Sequence, residues 1–285
     1  MLYNFSSDDL FRILEQNMDA TSMGWYMGKL SSVLADKSVR TFYLAYSLCG
    51  SKLATTPLGF PNDVNTSLSD YLRLKNANVL ELGRIHLLVK VLESDKEFFK
   101  DKVSNLIQIA DTGELETFLK FLVLLPNAKD YQFSAVEALR TNITVIFDAI
   151  SLNNPYPSLF FNEQQWNQMY LKAAFMQRDL GSILDTDKRA NQQLVRIISD
   201  YAHERWAASR EIDPEIWRPV SKFLNDDLLN DMDRLFTSKN IQENKAAALC
   251  CYQSNMNEAI ELLKKYPDLK NQVENGSITW DNFKD

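Results

Sequence analysis

Apolar residues return every three or four positions along almost the whole of this chain, and that spacing leaves room for little but helices. Leu10, Ile13 and Leu14 begin the pattern, and Met23, Met27, Leu30 and Leu34 continue it. Such spacing lines up one face of a helix. No convincing run alternates apolar and polar residues at the spacing of two that a half-buried strand needs. Breakers are scarce: 285 residues hold only 8 glycines and 8 prolines. Turns are therefore few and helices long. The pattern predicts an all-α protein.

The expected helices in the first half are 7–18, 22–35, 38–50, 67–74, 77–93, 96–110, 114–125 and one long helix over 134–152. Those in the second half are 163–176, 192–209, 214–224, 226–237, 241–253 and 256–265, followed by a short tail. Pro57, Gly59, Pro61 and Asn62 mark the loop 56–66. Asp213 is placed to cap the helix at 214, with Pro214 at its first position. Pro219 then interrupts or kinks it. Helices of this length with short connections read as irregular stacked pairs, a HEAT-like α-solenoid. No repeat of fixed period is visible, so a closed helical bundle is the alternative. The chain is expected to form a single all-helical domain, 1–285. The clearest break, Asn153-Asn154-Pro155-Tyr156-Pro157, is where it would sub-divide into an N-terminal half and a motif-bearing C-terminal half.

The net charge of −7 argues against nucleic acid and anionic lipid as partners, since both recruit basic surfaces. The start, MLYNFSSDDLFRILEQ, lacks the basic and apolar regions of a signal peptide. No apolar run is long enough for a transmembrane segment. The expected location is the cytoplasm. Cys49, Cys250 and Cys251 are odd in number with one adjacent pair, which is no disulfide framework; they read as small buried hydrophobes. No cofactor and no metal is expected. His203-Glu204 does not open a zinc helix, because position 207, where the second histidine belongs, is Ala.

The stretch 155–219 departs from plain amphipathic texture. It mixes Trp166, Trp206 and Trp217 with amides and charges. Wound at about 100° per residue, 192–209 puts Leu194, Ile198, Tyr201 and Ala202 on one arc, which Val195 and Trp206 extend. Arg196, Asp200, His203 and Glu204 lie opposite. Asp200 and His203 are three apart and able to pair. Arg205 falls inside the apolar arc, where a guanidinium must be paired or must reach a ligand. The expectation is a side-chain partner at the junction with helix 163–176: Asn167 first, or the carboxylates of Glu163, Asp200 or Asp213. In 163–176, Trp166, Met169, Tyr170 and Ala173 line one side, Leu171 and Phe175 the other. Only Gln165, Gln168 and Lys172 form a polar strip. Asn167 sits on an apolar flank and needs hydrogen-bond partners. Asn191 reads as the N-cap of the next helix; that helix terminus, with Arg189, could also hold an anion.

Four runs carry a resemblance: Trp166-Asn167-Gln168-Met169, Asp187-Lys188-Arg189-Ala190-Asn191, Asp200-Tyr201-Ala202-His203-Glu204-Arg205-Trp206-Ala207 and Pro214-Glu215-Ile216-Trp217-Arg218. Together they resemble the EboA family, over roughly the last half of the chain. The tail runs Pro267-Asp268-Leu269 and Ile278-Thr279-Trp280-Asp281 are similar to that family's tail. The family pattern has an LDER-like run where this chain has Asp185-Thr186-Asp187-Lys188. The resemblance implies service in a bacterial pathway that moves or builds a small metabolite. It also implies partners from the same gene cluster: a UbiA-type prenyltransferase, a TatD-like hydrolase and a dehydroquinate-synthase-like enzyme. It brings no catalytic residues.

No dinucleotide fingerprint, P-loop, nucleophile elbow or kinase set occurs. The first functional reading is a non-catalytic binding or scaffold protein. Asn167, Lys172, Arg189, Asn191, Asp200, His203, Glu204, Arg205 and Trp206 are its candidate ligand- or partner-binding residues. The second is an enzyme acting on a small polar or phosphorylated metabolite, with Asp200 or His203 as acid–base group and Arg205 or Lys172 as anion holder. Convergence of these side chains in a closed concavity favours the enzyme or a ligand; pairing with one another without a cavity favours the scaffold.

Overall fold

In the computed structural model, which describes residues 5–284, the spacing of three and four becomes eighteen α-helices. Among the described residues there is no strand, only an isolated bridge between Pro57 and Asn78. The helices are α1 (Ser7–Asn17), α2 (Ala20–Asp36), α3 (Val39–Lys52), α4 (Thr66–Leu74), α5 (Val79–Ser94), α6 (Lys96–Ser104), α7 (Leu106–Ile109), α8 (Thr112–Lys120) and α9 (Gln132–Ala138). They continue as α10 (Thr144–Ser151), α11 (Tyr156–Phe160), α12 (Glu163–Phe175), α13 (Thr186–Arg189), α14 (Gln192–Ala207), α15 (Asp226–Phe236), α16 (Ile241–Gln253), α17 (Asn257–Lys264) and α18 (Pro267–Glu274). Local chemistry sets many of the starts. Capping boxes open α1 (Ser6 with Asp9), α5 (Asn78 with Glu81), α8 (Asp111 with Glu114) and α12 (Asn162 with Gln165). Each satisfies helix-end N–H groups that would otherwise lack partners.

The chain divides into two compact units, 1–156 and 157–285. In the first, α5 is the central element. Its sequence VLELGRIHLLVKVLES is apolar nearly all round, as a helix enclosed on every side must be. It packs against α1, α2, α3, α6 and α8. Gly83 supplies close approach: a Cβ there would meet Leu53 Cδ1 at 2.4 Å. Its buried polar groups are all partnered. Arg84 donates to the carbonyls of Gly113 (3.1 Å) and Tyr46 (3.4 Å). The Tyr26 hydroxyl donates to the Gly83 carbonyl and lies 2.5 Å from His86 Nδ1.

In the second unit, α16 is central and packs on α15, α17, α18 and the segment Pro214–Phe223. Its run Ala246-Ala247-Ala248-Leu249-Cys250-Cys251 is wholly buried, and small side chains let neighbouring backbones come close. All three cysteines are buried and unlinked. Burial pushes the Cys49 and Cys251 thiols up to about 12.

Five expected elements differ. The helix expected over 134–152 is broken between α9 and α10: the Thr141 hydroxyl accepts the Ile143 N–H at 3.0 Å and turns the chain out of the helix. The helix expected over 96–110 is parted at Asn105 into α6 and α7. The 114–125 helix ends at Lys120, and Leu122–Leu124 tightens into a 3₁₀ turn. The tail holds α18, begun by Pro267. The 214–224 helix is a 3₁₀ helix, Pro214–Phe223, capped by Asp213 as expected. An α-helix there would drive the Pro219 ring into the carbonyl of Glu215; that carbonyl instead accepts from the Tyr170 hydroxyl at 3.3 Å.

Candidate functional site

The second unit contains a groove of about 1410 Å³. α14 forms one wall, α15 the other, and the turn from Lys222 to Asn225 closes one end. Each wall presents a stripe at helical spacing: Ser199, His203 and Trp206 from α14, and Asp227, Asp231 and Arg234 from α15. Val195, Phe223, Leu224 and Leu228 supply apolar lining.

Asp231 ties the walls together. It is only 4% exposed, yet both its oxygens are satisfied: Oδ2 accepts from Ser199 Oγ at 3.0 Å and Oδ1 pairs with His203 Nε2 at 2.6 Å. A carboxylate can only accept, so Nε2 carries the hydrogen and Nδ1 is the nitrogen left for other contacts. His203 is itself more than half exposed. Its ring lies 5.5 Å from Trp206, which stacks on buried Trp217 at 5.8 Å. The Arg234 guanidinium sits 4.3 Å from the centre of the Trp206 ring. Trp206 is therefore held by a ring, a cation and an imidazole.

Of the nine residues expected at a site, Asp200, His203 and Trp206 line the groove. His203 pairs with Asp231 and not with Asp200. Asp200 is exposed and has Arg196 at 3.9 Å, one turn away. Glu204 is exposed on α14 and does not line the groove.

The others sit elsewhere. Asn167 and Asn191 form a reciprocal amide pair, with bonds of 3.1 and 2.9 Å. Asn191 also accepts the Leu194 N–H at 2.8 Å and so caps α14. Arg189 donates to the carbonyls of Ser158 (2.6 Å) and Phe161 (2.9 Å) at the end of α11, and stacks over Trp166 at 4.9 Å. Burial lowers its pKa, opposed by Glu163 and Asp185. Its donors are spent on backbone, which leaves little for an anion. Lys172 lies on α12 with its pKa lowered by burial. Phe175, which the helix period places with Leu171 on the side away from Trp166, is 71% exposed, because α12 is in its last turn there.

Arg205 overturns its expectation. Its Nε and one terminal nitrogen donate to the Glu211 carbonyl at 3.1 and 2.6 Å. Among the described residues no carboxylate or amide side chain holds it. The reason is its place: α14 ends two residues later, and Ser209 (φ 53°) turns the chain back over the last turn. The apolar arc has left the core by then, so the guanidinium closes a helix end.

Asp231, Arg234 and Ser199 were not singled out from sequence. The signal was present in the two matched stripes, but nothing in sequence pairs one helix with the other. Among the described residues, no three His, Cys, Asp or Glu side chains gather as a metal's ligands would. Among the described residues, too, no helix is long and apolar enough to cross a membrane.

A family model described as "Metabolite traffic protein EboA" matches residues 6–221. The match begins at Ser6, the cap of α1, well before the motif-bearing half that carries the resemblance, and stops before the tail runs at 267–269 and 278–281. It also stops short of α15, so one wall of the groove lies outside it. No curated protein and no solved structure matches the chain.

Proposed function

Because the chain belongs to the EboA family of metabolite traffic proteins, we propose that it is a non-catalytic binding protein for a small metabolite, with the groove between α14 and α15 as its site. On this reading the chain is a HEAT-like helical scaffold, works in the cytoplasm and hands its ligand to other proteins of the same pathway. The observation that carries the proposal is the groove itself. It has ample room for a small molecule, and its walls set the apolar side chains of Val195, Phe223, Leu224 and Leu228 among a larger number of polar ones, of which His203 is oriented by Asp231. Native mass spectrometry of protein purified from its own host tests this. The expected result is a retained small molecule that is lost in Ala207→Trp, where an indole grows from an exposed groove position. An adduct that persists in Ala207→Trp would place the site elsewhere; no adduct in either protein would count against binding.

The second reading, an acid–base enzyme on a polar metabolite, draws on one observation. A buried carboxylate orients the His203 imidazole, as a general acid or base requires. Arg205 and Lys172 do not serve it, because neither lines the groove. Under this reading His203→Asn leaves the adduct bound and stops its conversion. Loss of the adduct itself in that variant would favour binding alone.

A further inference from the structure

We propose that the groove's ligand carries an oxyanion, a carboxylate or a phosphate, held by Arg234, with an apolar body against Val195, Leu224 and Leu228. This rests on the reading of the groove as the metabolite site.

The charges of the groove decide the sign of the ligand. Arg196 and Asp200 stand 3.9 Å apart and offset each other. Asp231 has both oxygens filled by Ser199 and His203. Asp227 lies in the first turn of α15, where the helix N-terminus offsets a negative charge. Lys222 reaches only the Asp187 carbonyl, at 3.4 Å. Among the described residues Arg234 has no ion pair, and its guanidinium lies over the Trp206 ring. The unspent charge of the groove is therefore positive.

The geometry decides the shape. The guanidinium lies over the Trp206 ring, and its N–H donors lie in its own plane. A planar fork of this kind matches two oxygens of a carboxylate or phosphate. His203 flanks the same indole, and its Nδ1, bare while Nε2 donates to Asp231, is placed to accept from a hydroxyl or N–H of the ligand rather than to hold the oxyanion. A cationic ligand would find no carboxylate in the groove that is both unpaired and away from a helix N-terminus. A neutral ligand would gain nothing from Arg234, which is exposed and hydrated without it.

The test is calorimetric titration of the whole protein with benzoate, phenyl phosphate and benzyl alcohol, three probes of similar body and different charge. The expected result is that at least one anion binds at least about tenfold more tightly than the alcohol. Arg234→Gln should abolish that preference at unchanged melting temperature. Arg234→Lys should restore it only in part, because a point charge cannot replace the fork. The stronger of the two anions identifies the carboxylate or phosphate source. Equal binding of all three probes, or a preference for anions that survives Arg234→Gln, overturns the oxyanion and leaves the metabolite site standing. No binding of any probe, together with no retained molecule by native mass spectrometry, removes both.

Discussion

His86 is buried in α5 with 2% exposure, and burial lowers its pKa to about 4. Its neighbours explain how it stays neutral. The Tyr26 hydroxyl donates its hydrogen to the Gly83 carbonyl, so the hydrogen shared with His86 is the one on Nδ1. The Phe11 ring lies tilted against the imidazole, with centres 5.4 Å apart. The unfolded chain takes up a proton below the ordinary histidine value of 6.5, while the folded chain resists until about 4. The contribution is therefore whole above the unfolded value and is lost progressively as the pH falls from one value to the other. By linkage the loss is on the order of 3 kcal/mol. Urea unfolding at several pH values should show this slope, and His86→Phe should flatten it between pH 6.5 and 4. An unchanged slope in that variant would mean that other groups carry the acid sensitivity.

At the scale of elements, the joint between α12 and α14 is an amide pair. Asn167, 1% exposed, has its carbonyl oxygen and its amide matched to Asn191, which caps α14. Asn167→Ala leaves the Asn191 amide one partner short and loosens the cap. The expected cost is about 1–3 kcal/mol by chemical denaturation, the range for stranding a buried polar group. A loss of only a few tenths would show that water replaces the missing amide. Asn191 was legible as a cap from its position alone, and Asn167 as a buried amide in need of a partner. That each answers the other was not legible, because 24 residues separate them. Arg205 shows the converse. Its angular position was read correctly from the helix period, but how deep the last turn of α14 lies depends on where the chain goes next.

For the whole molecule, far-ultraviolet circular dichroism should show strong helical minima and no sheet component. Eighteen α-helices among the described residues require it. A substantial sheet signal would contradict the fold. Helical class, most helix starts and the buried cysteines were determined by sequence alone, because period, capping residues and breakers act within a few positions of themselves. The interruptions at 139–143 and at Pro219 were decided partly by tertiary structure. A broken helix keeps its apolar spacing, and freed groups such as the Glu215 carbonyl need a partner as distant as Tyr170. The groove was decided by tertiary structure almost entirely. Ser199, His203 and Trp206 make one stripe and Asp227, Asp231 and Arg234 another, and each alone reads as the solvent face of an amphipathic helix. Only packing on Pro214–Phe223 and α16 sets α14 and α15 where Asp231 meets His203 at 2.6 Å. Contacts between residues 28 positions apart are fixed by burial of the opposite faces, which no local spacing records.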